Sequence, residues 1–162
     1  MELNRLLYEK SVPDKGHLII PFVFGMADTA YIYSYRLLAE AGHKSEWHQA
    51  ENPAQMYSSS LKEIICIAQE HLARNFFYET SAESFKHRYT YCHNLIIVSE
   101  MAGKYFYDHY PPSRLTNIAA PKIFGSEAEC INWVQQGLDH ARSSSKPESR
   151  TETVEPGLLP PD

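Results

Sequence analysis

A thiol beside an imidazole, Cys92 next to His93, is the pairing that makes a nucleophile with its base, or a thioether attachment point for a chromophore. Consecutive residues of a strand face opposite ways, and the surrounding residues predict a strand, so this imidazole is expected out of reach of the sulfur. The segment FGMADT, carrying Gly25 and Asp28, ends an apolar run. An open α/β sheet places ligands at such a point, outside the carboxyl end of a strand and against a helix N-terminus. One glycine falls far short of the phosphate-binding pattern GxGxxG, and Asp28 reads more simply as the cap of a plain strand-to-helix turn. SEMAGK, residues 99–104, has Gly and Lys without the spacing of a P-loop, and Ser99 reads more simply as an N-cap than as a nucleophile.

The stretch GKYFYDHYPP, residues 103–112, gathers Tyr105, Phe106, Tyr107, His109 and Tyr110 before Pro111 and Pro112 turn the chain. Burying one aromatic side chain yields roughly 2 kcal/mol, against a total stability usually near 10, so most of these rings must be packing. Read as a helix, the segment buries Phe106 and turns Tyr107 outward. Tyrosines keep a polar tip that seeks a wet edge. Tyr107, Asp108, His109 and Tyr110, with Asp28 and His93, are therefore the candidate ligand or partner surface.

The chain has 8 histidines, but neither His43 with His48 nor His87 with His93 has the register and carboxylate of a zinc site. The 3 cysteines, Cys66, Cys92 and Cys130, lie too far apart for a CxxC pair or a disulfide framework, and Cys66 and Cys130 are expected as buried apolar residues of helices. No catalytic set, cofactor motif or metal site is expected.

The formal charge of −5 and the lack of any basic run argue against non-specific nucleic-acid binding. Met1 to Lys10 mixes charges among its apolar residues, unlike a signal peptide, and no apolar run nears the roughly 18 residues of a membrane span. A cytoplasmic protein is expected. At 162 residues, with 43% hydrophobic, one compact domain over residues 1–142 is expected, followed by a disordered tail at 143–162 that is rich in Pro, Ser, Thr and Glu.

The elements that would position these residues follow from patterning. HLIIPFVFG, residues 17–25, predicts a buried strand in which Pro21 requires an edge or a bulge. From Asp28 to a stop at Gly42 a helix is expected, although Tyr31, Tyr33 and Tyr35 alternate as a strand would. SEWHQA is expected as a short strand. Asn52 as cap, Pro53 and Gln55 announce a helix whose buried stripe is Leu61, Ile64, Ile65, Ala68 and Leu72. YTYCHNLIIV, residues 89–98, predicts a central strand, Ser99 starts a helix, and APKIF forms a strand. SEAE opens the last helix with Ser126 and Glu129 as a capping box, and its stripe is Ala128, Ile131, Val134, Leu138 and Ala141. The N-terminal LNRLLYEKS and VPDKG are expected to add an antiparallel edge strand through a hairpin. No internal repeat is legible. Strands alternating with helices predict an α/β fold: a mostly parallel or mixed sheet of about four or five strands covered by helices.

From His93 onward, the order LIIV strand, helix, PKIF strand and closing helix SEAECINWV resembles the end of STAS-like domains, the α/β modules related to anti-sigma-factor antagonists. The resemblance covers roughly 45 residues of a common α/β arrangement. It implies a non-enzymatic regulatory module that binds a protein partner, sometimes switched by phosphorylation at a helix start. The family's Asp-Ser-Ser/Thr-Gly switch is absent, and VSEMAG offers Ser99 in a comparable place. The leading expectation is thus a cytoplasmic regulatory or protein-interaction module, with a homodimer among its forms and no nucleic acid or membrane as partner. The alternative is a small-molecule-binding protein or enzyme, with its site at the Gly25–Asp28 loop or the Tyr107–Tyr110 segment.

Overall fold

The computed structural model of the chain describes residues 3–76 and 83–145. In chain order it contains β1 (Val12–Asp14), β2 (His17–Ala27), β3 (Ala30–Ala39), α1 (Leu61–Asn75), β4 (Arg88–Tyr91), β5 (Asn94–Met101), β6 (Lys104–Tyr110) and α2 (Glu127–Ser145). The strands form two 3-stranded antiparallel sheets, β1-β2-β3 and β4-β5-β6. The expected mostly parallel or mixed sheet of about four or five strands is therefore wrong. Among the described residues two compact units are distinguished, the first drawn from residues 1–97 and 108–119, the second from 98–107 and 120–162. Helix α2 runs to Ser145, beyond the expected boundary at 142, and the rest of the expected tail, residues 146–162, lies outside the described residues.

The error has a physical cause at β2. Its apolar run is buried on both faces, a pattern typical of parallel strands, yet its partner is an antiparallel β3. Leu18, Ile20 and Phe22 join a core with Leu6, Tyr8, Leu38, Leu95, Ile97, Tyr110 and Leu115, whereas the intervening Ile19 joins Tyr35, Leu37 and the α1 residues Ile64, Ala68 and Leu72. Both faces are covered without any crossover helix. Pro21 fits because its carbonyl accepts from the Leu7 N–H at 2.9 Å. In an antiparallel strand a residue's N–H and C=O point the same way, so the missing donor faces the N-terminal segment, and the β2–β3 ladder loses nothing. A register shift between Val23 and Gly25 places a bulge at Phe24.

Hairpin turns account for the remaining corrections. Lys15 and Gly16 (φ 48° and 74°), Cys92 and His93 (51° and 65°), and Ala102 and Gly103 (54° and 78°) are pairs of left-handed residues, as two-residue hairpin turns of the primed type require. Cys92 and His93 therefore form a turn inside the expected single strand 89–98, dividing it into β4 and β5. Where a helix was expected from Ser99, β5 continues and turns into β6. Asp28 (φ 56°) turns β2 into β3, which replaces the helix expected after it. The alternating Tyr31, Tyr33 and Tyr35 were the true signal. SEWHQA follows a 3-10 turn at Gly42–Lys44 and forms no strand, and of APKIF only Phe124 pairs, in an isolated bridge to Tyr105.

Helix α1 has the expected stripe but a later start. Ser60 caps it, its Oγ accepting from the Glu63 N–H at 3.1 Å, while Asn52 is buried in the preceding loop. There the Asn52 side chain donates to Ser34 Oγ and the Met56 carbonyl, both at 2.9 Å. In the second unit the Ser126 half of the expected capping box is present, Ser126 Oγ accepting from the Glu129 N–H at 3.1 Å, whereas the Glu129 side chain accepts at 3.1 Å from the N–H of Gly125, one residue before the cap. Its buried positions are Cys130 and Val134, whereas Ala128 and Ala141 are exposed. One arrangement occurs twice: a hairpin, a bridge from its second strand (Tyr33 to Ser58, Tyr105 to Phe124), then a serine-capped helix. This recurrence has no counterpart in residue identity, so the sequence conceals it.

Candidate functional site

A cleft of about 600 Å³ opens in the first unit, lined among others by Lys15, His17, Lys44, Ser45, Trp47 and Phe76. Three local structures bring these residues together: the β1–β2 turn with the first residue of β2, the segment after β3, and the C-terminal end of α1. Trp47 and Phe76 pack against the core cluster of Ile64, Ala68 and Leu72, so the aromatic wall is anchored by the buried stripe of α1. The ring centroids of His17 and Phe76 are 4.8 Å apart, those of Trp47 and Phe76 5.4 Å, and His71 stacks on Trp47 at 4.9 Å with the planes 4° apart.

His17 is the polar centre of this wall. Only 3% of it is exposed, and its Nδ1 lies 2.8 Å from the Lys15 carbonyl oxygen. A carbonyl can only accept, so Nδ1 carries the proton and Nε2 presents a lone pair. Ser45 Oγ lies 3.4 Å from that Nε2 and donates to it, while itself accepting from the Trp47 N–H at 3.1 Å. Burial pushes the His17 imidazole below its ordinary pKa, against the opposing pull of the Lys15 carbonyl and Asp14, and so favours the neutral ring. Nearby, the His43 and His48 rings meet edge to face at 5.1 Å, and His48 Nδ1 accepts from the Ala39 N–H at 3.4 Å. Burial and the neighbouring His43 and His17 depress His48 as well. Among the described residues no group of three or more His, Cys, Asp or Glu could hold a metal.

The residues singled out from sequence are dispersed. Asp28 is exposed in the β2–β3 turn, capping no helix, and Gly25 lies beside the bulge in β2. His93, in the β4–β5 turn, accepts on Nδ1 from the Arg5 guanidinium at 2.8 Å. Ser99 is an exposed residue of β5, so the N-cap reading fails. The aromatic segment became β6, a strand rather than a helix, and its burial is inverted accordingly: Tyr107 and Tyr110 are buried while Phe106 is half-buried.

Tyr110 belongs to the core of the first unit, and burial raises its phenol to about 12. Asp108 Oδ1 accepts from Asn117 Nδ2 at 2.9 Å, and burial raises its carboxyl despite that bond. His109 Nε2 donates to Asn94 Oδ1 at 2.9 Å, its backbone N–H donates to Asn117 Oδ1 at 2.9 Å, and burial depresses its imidazole. These bonds close the loop after β6. In the second unit Tyr107 packs with Phe124 and Trp133 at centroid distances of 6.2 Å each, and Lys122 Nζ lies 5.6 Å from the Trp133 ring centre.

A second feature of the first unit is apolar surface. The rings of Phe24 and Tyr57 lie 4.9 Å apart with their planes tilted by 41°, yet remain 49% and 47% exposed, and Met26 and Met56, close to them in sequence, are also exposed. The burial of β2 ends at Val23, and Phe24, at the bulge, begins its exposed end. Sequence reading missed His17, Ser45, Trp47 and Phe76 because no local spacing links them. The single available signal was a histidine opening an otherwise apolar run. Comparison with protein families, curated proteins and solved structures finds no match to this chain. Among the described residues no helix is long and apolar enough to cross a membrane.

Proposed function

We propose that the protein binds a small molecule in the cleft at His17, Trp47 and Phe76. The observation that supports this reading is a buried imidazole nitrogen and a serine hydroxyl meeting at an aromatic wall in about 600 Å³ of space. Binding sites combine such apolar walls with a few convergent polar groups. The ligand would have an apolar body to fit the corner made by Trp47 and Phe76, and a polar end toward Ser45, with Lys44 on the same lining. Binding of 8-anilinonaphthalene-1-sulfonate, an aromatic amphiphile with one anionic group, tests it by fluorescence. Trp47→Ala should weaken that binding at least tenfold, and equal binding by the variant would reject the reading.

A second reading, the cytoplasmic regulatory or protein-interaction module expected from sequence, is favoured by the exposed Phe24 and Tyr57 pair. Its contact surface would be this part of the β2–β3 hairpin instead of Tyr107–Tyr110, and its first candidate partner is a second copy of the chain. Native mass spectrometry of the wild type beside Phe24→Ser decides it: a dimer lost in the variant supports the surface, and a wild-type monomer at tens of micromolar counts against self-association.

A further inference from the structure

We propose that Ser45 is a nucleophile activated by His17, and that the cleft accepts the acyl group of a carboxylic ester with an apolar or aromatic body. This inference rests on the cleft being a ligand site. The geometry has the three parts that activation of a serine requires: a hydroxyl, a base within reach of its proton, and a third group that orients the base. Ser45 Oγ is 3.4 Å from His17 Nε2, and the Lys15 carbonyl, 2.8 Å from Nδ1, holds the ring with its lone pair toward the serine. This carbonyl occupies the place a carboxylate takes in a triad. Burial of the ring fixes its orientation further, with His17 lying against Phe76 at 4.8 Å and Trp47 at 6.5 Å.

A plainer role for Ser45 is to hold the turn by accepting from the Trp47 N–H at 3.1 Å. That bond occupies a lone pair of Oγ and leaves its proton to be directed elsewhere, and Nε2 is the acceptor it meets. A turn serine needs neither a histidine aligned by a main-chain carbonyl nor an adjoining cleft of about 600 Å³.

The chemistry balances with water as co-reactant. Ser45 Oγ bonds to the ester carbonyl carbon as its proton passes to His17 Nε2. The ester C–O bond then breaks, and the leaving alkoxide takes that proton from Nε2, departing as the alcohol. Water attacks the acyl-serine, giving its proton to Nε2. As the carboxylic acid leaves, Oγ recovers a proton from Nε2. The net change is ester plus water to acid plus alcohol.

A fluorophosphonate, which phosphonylates activated serines with loss of fluoride, tests the pair on the intact chain. The expected result is one adduct by intact mass, mapped to Ser45, absent from Ser45→Ala and formed at least about 100-fold more slowly in His17→Gln, the share that general-base assistance commonly supplies. Because His17 is buried, His17→Gln is compared only if its near-ultraviolet circular dichroism matches the wild type. Ser45→Ala, at a half-buried position, supplies the independent control. Binding of 8-anilinonaphthalene-1-sulfonate is measured in parallel. If the dye binds in a Trp47-dependent way and no adduct forms, or the adduct lies on another serine, the nucleophile is refuted while the ligand cleft stands. If neither dye nor reagent engages the cleft, both readings fall.

Discussion

Replacing Leu72 with Ala tests how α1 holds the wall of the cleft. Leu72 is 1% exposed and packs in one cluster with Ile64 and Ala68 of its own helix and with Ile19, Tyr35 and Leu37 of the sheet. The change removes three carbon groups, about 2.4 kcal/mol at ~0.8 each. A sheet on one side and a helix backbone on the other limit collapse. A residual void of about 50 Å³ would add about 1.2 kcal/mol at ~24 cal/mol per Å³. The expected loss is about 3.6 kcal/mol, which for a chain of this size lowers the melting temperature by about 7 to 14 °C. Thermal and urea unfolding followed by circular dichroism measure it. Cys66, expected to be buried, is exposed on the face of the same helix away from this cluster, and Cys66→Ser should stay within about 0.5 kcal/mol of the wild type. A small loss at Leu72 together with a large one at Cys66 would mean that α1 buries the opposite face, and the wall formed by Trp47 and Phe76 would lose its foundation.

Other outcomes follow from the same structure. Burial depresses the imidazoles of His17, His48, His71 and His109 below the unfolded value of 6.5, so the unfolded chain binds more protons as pH falls through that value. Stability is present above about 6.5 and declines as the solution is acidified below it; a urea midpoint unchanged between neutral and mildly acidic buffer would contradict this. At the alkaline end, burial raises Cys130 to about 11 and Tyr110 to about 12, so their contribution is intact below the unfolded values of 9.0 and 10.0 and is lost as pH climbs through the raised ones. A thiol reagent such as Ellman's should modify Cys66 quickly in the native chain and Cys130 only on unfolding. Ala102→Asn at the β5–β6 turn, where φ is 54°, should raise stability by up to about 1 kcal/mol, read as a higher urea midpoint.

The sequence by itself determined the burial that repeats within a helix and the bonds made between near neighbours, and much less about which strand residues leave water or how the elements meet. The stripe Ile64, Ala68 and Leu72 was legible because helical burial repeats along the chain, and Ser126 with Glu129 was legible because a cap is a local bond. Strand direction was decided by turns with weak sequence signals: Cys92 and His93, or Ala102 and Gly103, lack the Asn-Gly or Asp-Gly pairs that announce a tight hairpin. The aromatic segment shows the cost, since a helix and a strand bury different positions of the same seven residues, and Tyr107 exchanged places with Phe106. Only the tertiary structure could assemble the cleft. His17, Ser45 and Phe76 belong to a strand start, a turn and a helix end, and their meeting depends on β2 being covered on both faces, a property of the packed chain and of no segment within it.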